Sequence, residues 1–145
     1  MTVIAWDGKT LAADKQCTSS GYATAVTKIF RVNDGLVGFA GSPTHGMALL
    51  DWIKAGRNLD TWPASRDPGS TADILFINNE GKIFEYSGTG GPYPEPCEES
   101  FIAMGSGRDY ALAALYLGHG ARRAVEVACA LDVFCGKGID TLEPK

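Results

Sequence analysis

Five places in this chain carry residue types whose spacing could do chemistry. The first is Thr2, in the run Met1-Thr2-Val3-Ile4-Ala5-Trp6. Methionine followed by a small residue is a good substrate for initiator removal, which would put a hydroxyl and a free α-amine on one threonine. An unperturbed α-amine titrates near pH ~8, so it can act as base for the hydroxyl beside it. Taken alone, a β-branched residue in a strand is the simpler account. The second is Lys28, which shares a strand face with Val26, Phe30 and Val32. A lysine there either snorkels out at a sheet edge or is held by a carboxylate and hydrogen bonds, and the strand alone leaves both open. The third is Gly41, at the junction Gly41-Ser42-Pro43 between a strand and a helix. A glycine there presents its N–H and allows close approach, which is how an oxyanion hole is built; any capped helix also leaves donors there. The fourth is Ser106, which opens the capping-box pattern Ser106-Gly107-Arg108-Asp109 and is expected to be a helix cap. The fifth is Asp132, in the last turn of a predicted helix. The helix dipole disfavours a carboxylate there by up to about 1 kcal/mol, so Asp132 should have a partner.

The elements that must position these residues follow from pattern. Thr2 to Trp6 alternates, with Thr2, Ile4 and Trp6 on one face, and Asp7-Gly8 turns it into a return strand over 10–14. Cys17 to Gly21 reads as a polar loop, and 26–32 as a strand joined by Asn33-Asp34-Gly35 to a strand over 36–41. Ser42 is a plausible N-cap and Pro43 suits the first helical position. That helix is expected over 43–55, with Met47, Leu50 and Ile53 or Lys54 inward. A Pro-rich loop over 57–70 precedes strands over 73–77 and 82–86. Residues 88–96, dense in glycine and proline, read as a mobile surface loop. A buried strand over 101–104 leads to a helix over 108–117 that is apolar nearly all round and so expected to be sandwiched between layers. Gly118 is its natural left-handed cap. A second helix over 121–133 turns Ala121, Ala124, Val125, Ala128 and Leu131 inward, and 139–142 forms a last short strand. Helices grouped between runs of antiparallel strands imply a layered α+β architecture.

A chain of 145 residues is long enough for one core and short for two, so 1–145 is read as a single domain. The net charge of −4 argues against a nucleic-acid or anionic-membrane partner, and the cationic residues beyond Lys54 form no stripe. No apolar run approaches the ~20 residues that cross a bilayer, and no charged-then-apolar leader precedes the first strand. Cys17, Cys97, Cys129 and Cys135 make no metal-binding spacing with each other or with His45 and His119. Each histidine is read as a loop or helix-end residue. A cytoplasmic protein with reduced thiols, no metal and no cofactor is the expectation.

Taken in order and spacing, these blocks resemble the proteasome β-subunit and HslV-like family of N-terminal nucleophile hydrolases. The likeness rests on Thr2 opening the first strand, Ala13-Asp14 ending the second, and Thr27-Lys28-Ile29-Phe30-Arg31-Val32. It continues through Gly38-Phe39-Ala40-Gly41-Ser42, Ile102-Ala103-Met104-Gly105-Ser106-Gly107 and Ala130-Leu131-Asp132. The resemblance implies a four-layer αββα sandwich. It implies Thr2 as nucleophile once Met1 is removed, Lys28 as the lysine that lowers its pKa, and Asp14 as the carboxylate that orients the lysine. Gly41 matches the oxyanion-hole glycine, and Ser106 and Asp132 the pair that relays the amine's proton. It also implies peptide or unfolded-protein substrates, a homo-oligomeric ring and an ATPase unfoldase partner. Two departures stand out. One helix and a Pro-rich loop fill an interval where the family has two long helices, so the sandwich is shortened by about one helix. Cys135 stands where the family often has a serine or threonine, which implies a weaker or absent hydrogen bond.

The leading expectation is therefore a threonine-type peptidase. A small-molecule amidase of the same class is the alternative for a chain lacking ring apparatus. A non-catalytic assembly protein is the third reading, and the joint presence of Thr2, Asp14 and Lys28 argues against it.

Overall fold

Ile4–Trp6 (β1) and Leu11–Asp14 (β2) form the expected opening hairpin. A computed structural model describes residues 2–145; Met1, and with it the expectation of its removal, lies outside the described residues. The turn is closed by Asp7, whose Oδ1 accepts from the N–H groups of Lys9 and Thr10. Its Oδ2 accepts from Ala121 N at 2.8 Å and so ties the hairpin to a distant helix start. The chain continues through Gln16–Ser19 (β3), Tyr22–Ala25 (β4), Ile29–Val32 (β5), Gly35–Gly41 (β6) and Pro43–Lys54 (α1). Ala72–Asn78 (β7), Ile83–Tyr86 (β8), Glu95–Cys97 (β9) and Ile102–Met104 (β10) follow. Arg108–Tyr116 (α2), Ala121–Leu131 (α3) and Ile139–Leu142 (β11) complete it.

Among the described residues two large antiparallel sheets form, ordered β10-β1-β2-β11 and β5-β6-β7-β8-β9, beside a small two-stranded one, β3-β4. Period-two alternation assigns their faces. Ile4, Trp6, Leu11 and Ala13 of the first sheet meet Ile29, Leu36, Leu75 and Ile77 of the second. Val3, Ala5 and Ala12 turn the other way, onto Ala111, Leu115, Ala124, Val125 and Ala128 of α2 and α3. The outer face of the second sheet, with Val37, Phe39, Ile74 and Phe76, packs on Leu49, Leu50, Trp52 and Ile53 of α1. The layers are thus helices, sheet, sheet, helix, and the α+β four-layer sandwich is the fold. Beside α1, the segment 57–71 carries only a short 3-10 turn, Leu59–Thr61, and packs Trp62 onto this layer. Trp62 meets Trp52 edge-on at 4.9 Å between ring centroids and stacks near Tyr86 at 6.4 Å.

Several local expectations are corrected. The Cys17 to Gly21 loop is a β-hairpin, β3 and β4, that pairs with neither large sheet. Its turn is Ser20-Gly21, both at positive φ (51° and 76°), the geometry that a two-residue hairpin needs. The strand expected from Val26 begins at Ile29. On α1 the buried stripe is His45, Gly46, Leu49, Leu50, Trp52 and Ile53, while Met47 is exposed. Of the strand before α2, only Ala103 is buried, and its neighbours are half-buried. α2 is not sandwiched: Ala111, Ala114 and Leu115 face inward, whereas Tyr116 and Leu117 are 80% and 75% exposed. Its apolar count comes from tyrosines, whose hydroxyls reach water, and from alanines that cover little area. α3 stops at Leu131, which is exposed, because Asp132 takes an extended backbone. No described helix is long and apolar enough to cross a membrane.

Candidate active site

Strand pairing brings the sequence-predicted residues to one end of the sandwich. The Asp14 side chain is fully buried at the end of β2. Its Oδ1 accepts from Val3 N at 3.1 Å and from Lys28 Nζ at 2.7 Å. Oδ2 accepts from Gln16 N at 3.2 Å and Gly136 N at 3.0 Å. A carboxylate offers about four lone-pair directions, so this one is fully engaged in its ionised form. Lys28, 2% exposed, also donates to Gln16 O at 2.6 Å. The ambiguity of Lys28 is therefore resolved: it is a buried cation held by a carboxylate and a carbonyl. Desolvating both charges is tolerable only because such bonds replace the lost water.

Thr2 lies just before β1 and is 4% exposed. Its backbone N donates to Ser106 Oγ at 3.2 Å, and that hydroxyl donates to Asp132 Oδ2 at 3.1 Å. The Thr2 carbonyl accepts from Gly107 N at 3.1 Å. Ser106 is not the expected cap. The N-cap position of α2 is Gly107, without a side-chain bond, because the Ser106 hydroxyl is committed to Thr2 and Asp132. Asp132 has the partners that its place at a helix C-terminus requires. Its Oδ1 accepts from Phe134 N at 2.9 Å, and its Oδ2 from Cys135 Sγ at 3.4 Å as well as from Ser106. The Cys135 bond, expected weaker or absent, is the weaker one: a thiol donating at 3.4 Å. Partial burial opposes ionisation of Asp132, but the Phe134 N–H, the Cys135 thiol and the Ser106 hydroxyl outweigh it and hold its pKa below the ordinary carboxylate value. Burial, reinforced by the charges of Asp14 and Asp132, pushes the Cys135 thiol up to about 12, so it stays a neutral donor.

Thr2, Lys28 and Gly41 line one cleft of about 140 Å³, with Gln16, Phe39 and Ser42 among its walls. Gly41 has φ +106°, and a Cβ there would run into the Thr71 carbonyl. Only glycine fits, since L-residues rarely adopt this backbone. Ser42 caps α1 as expected, accepting from His45 N at 3.3 Å. The cleft thus holds a hydroxyl-bearing residue, a cation and a glycine junction at a helix N-terminus. The Ser106–Asp132 pair reaches Thr2 through its backbone nitrogen. Such an arrangement can activate an oxygen nucleophile and receive a developing negative charge. Among the described residues no group of His, Cys, Asp and Glu could hold a metal ion.

Three contributors were missed by sequence reasoning. Gly105, at φ +99°, lets Thr2 approach so closely that a Cβ would collide with the Thr2 carbonyl. The Gly105-Ser106-Gly107 run was the available signal. Gly136 supplies a donor to Asp14 from residues far along the chain, and nothing local announces it. His45 is a helix-end residue as expected, in the first turn of α1, but its burial with both ring nitrogens bonded was not foreseen.

A four-layer sandwich with a threonine just ahead of a central strand, which begins at Ile4 rather than at Thr2 as expected, beside a buried lysine–aspartate pair is the arrangement of the N-terminal nucleophile hydrolases. No protein-family model matches the sequence. The chain is 28% identical to proteasome subunit beta 1 of Thermococcus gammatolerans over 173 aligned positions, covering 94% of this chain and 84% of the relative. That alignment is longer than the chain itself, so it spans gaps here, as a shortened chain requires. Identity to the ATP-dependent protease subunit HslV of Pseudothermotoga lettingae is 32% over 130 positions, covering 77% of this chain and 73% of HslV. The structure of Thiobacillus denitrificans BPH in complex with epoxomicin matches with a TM-score of 0.71 over 100% of both chains at 24% identity. A second structure of Thiobacillus denitrificans BPH matches with the same TM-score at 23% identity. At those identities the structures establish the fold. The chain belongs to the proteasome β-subunit and HslV family of N-terminal nucleophile hydrolases, a family of threonine peptidases.

Proposed function

We propose that this chain is a threonine-type peptidase whose nucleophile is Thr2, exposed by removal of Met1. The observation that carries the reading is the convergence on Thr2. Its nitrogen sits 3.2 Å from Ser106 in a chain to Asp132, and Lys28, paired with the buried Asp14, lines the same cleft. With Met1 gone, that nitrogen is an amine that accepts the hydroxyl proton as Oγ attacks the scissile carbonyl. The Lys28 cation lowers the cost of the developing alkoxide, and Asp14, 2.7 Å from its Nζ, holds it in place. The Gly41 N–H faces the oxyanion. The amine then gives its proton to the leaving nitrogen, and water hydrolyses the ester left on Thr2. Ser106 and Asp132 orient the amine and carry its proton.

Residues 1–145 act as one domain in this reading. It works in the cytoplasm as a homo-oligomeric ring on peptides or unfolded proteins, with an ATPase unfoldase supplying the larger substrates. The single helix on one outer layer favours one other reading, a small open amidase, and oligomeric state separates the two. The mechanism is tested by adding one uncleavable residue before Thr2. The hydroxyl and fold remain, but the amine becomes an amide that accepts no proton. Peptide hydrolysis should vanish while thermal stability stays near that of the parent. Thr2→Ser should keep some activity and Thr2→Ala none. Full activity in the extended protein would place the base elsewhere and remove Thr2 from its role.

A further inference from the structure

His45 sits in the first turn of α1, 4% exposed, where the chain has just left Gly41. Its Nδ1 accepts from Ala72 N at 2.9 Å. The imidazole proton is therefore on Nε2, which lies 2.8 Å from the Pro63 carbonyl and donates to it. One neutral ring thus joins three segments: the start of α1, the first residue of β7 and the 57–71 loop. Ala72 is the register partner of Gly41, and the residue before it, Thr71, accepts from Ser42 N at 3.0 Å. The Thr71 carbonyl is also the group against which Gly41 is pressed. Whatever fixes the Thr71–Ala72 backbone consequently fixes the peptide planes on both sides of Gly41. In a chain with one helix on this outer layer, a loop supplies that backing, and His45 pins the loop.

We infer that His45 is a positioning residue for the Thr2 cleft, holding the Thr71–Ala72 backbone so that the Gly41 N–H keeps its aim. The inference rests on the peptidase reading given above. Because the role is to aim a donor at charge that forms during reaction, loss of His45 should lower kcat and kcat/KM together and leave KM nearly unchanged. Ångström-scale misplacement of such a group costs on the order of 10- to 100-fold.

The test uses the full chain beginning at Thr2, with a fluorogenic peptide as substrate and backbone hydrogen exchange on the same samples. His45→Leu should lose on the order of 10- to 100-fold in kcat and exchange faster at Gly41, Ala72 and 62–65. His45→Asn places an acceptor where Nδ1 was and should recover most of both. His45→Gln keeps a donor for Pro63 but withdraws the acceptor from Ala72; it should resemble His45→Leu, and replaces it in the comparison should that variant not fold. Parent-like kcat in folded His45→Leu or His45→Gln, or an Asn variant no better than these, would overturn the inference. A parent without Thr2-dependent hydrolysis would sink the peptidase reading instead. The Ala72 exchange rate would still judge the clamp, acceleration supporting it and parent-like protection refuting it.

Discussion

Lys28 and Asp14 depend on each other unequally. Without Lys28, the Asp14 carboxylate still accepts from the N–H groups of Val3, Gln16 and Gly136. Without the carboxylate charge, Lys28 loses the anion 2.7 Å from its Nζ, and the Gln16 carbonyl is a neutral acceptor that does not replace it. Removing one partner of a buried pair costs about 3–5 kcal/mol. Asp14→Asn should therefore lower the unfolding midpoint strongly and weaken turnover. Lys28→Ala should abolish turnover with a smaller loss of stability. Denaturant unfolding and peptide hydrolysis on both variants check this, and equal stability losses would contradict it. Asp132 makes a different prediction, through pH. Its folded pKa is depressed, so its contribution to stability is complete above the ordinary carboxylate pKa and is lost as pH falls through the folded value. The difference in thermal midpoint between parent and Asp132→Asn should hold down to about pH 5 and shrink below about pH 4. A difference that instead widens on acidification would mean that the carboxylate is not stabilised as an anion.

At the scale of elements, the site hangs on junctions where a strand gives way to a helix. At the β10–α2 junction a Cβ on Gly105 would collide with the Thr2 carbonyl, and the backbone there has φ +99°. Gly105→Ala should displace Thr2, cost about 1–3 kcal/mol from strain and overpacking, and remove activity. A crystal structure or hydrogen exchange of the variant should place the change at 2–3 and 105–107. An active variant of parental stability would show that the junction tolerates a side chain. How much of this was legible follows from range. The β1–β2 hairpin, the Ser42 cap and the β5–β6 turn are written in neighbouring residues, so pattern sufficed. Thr2, Asp14, Lys28, Gly41, Ser106 and Asp132 came together through resemblance to a family, since no local rule brings Asp14 to Lys28. Ser106 was misread as a cap because the capping-box pattern is local, whereas Thr2 and Asp132 compete for its hydroxyl from 104 and 26 residues away. Met47 failed as a core residue for a subtler reason. The buried stripe of α1 is turned to put His45 and Gly46 inward, and Gly46 is required because a Cβ there would enter the Phe39 ring.

For the whole molecule, the question is what covers the outside of the helical layer. α2 and α3 bury small residues against the first sheet, chiefly Ala111, Ala114, Ala121, Ala124 and Ala128. Their ends leave Tyr116, Leu117, Leu131 and Val133 at 60–81% exposure. Single exposed apolar residues are ordinary, but Leu131 and Val133 sit at the end of the helix pair beside Ser106, and Tyr116 and Leu117 at its opposite end, which makes two candidate contact patches. Val133 also presents its carbonyl to Gln16 Nε2 at 3.1 Å, so the segment beside Asp132 is held in place while its side chain faces outward. If copies of this chain associate there, Val133→Lys together with Leu117→Lys should weaken assembly. Each charge would have to be desolvated at the interface while leaving the interior of the subunit untouched. Light scattering should then report an oligomer for the parent and a smaller species for the double variant. Circular dichroism and thermal midpoint should stay close to the parent's, because neither side chain contributes to the core. A parent that is monomeric at micromolar concentration would remove the ring and favour the small open amidase. A parent that is oligomeric and indifferent to both lysines would move the interface away from the helix ends.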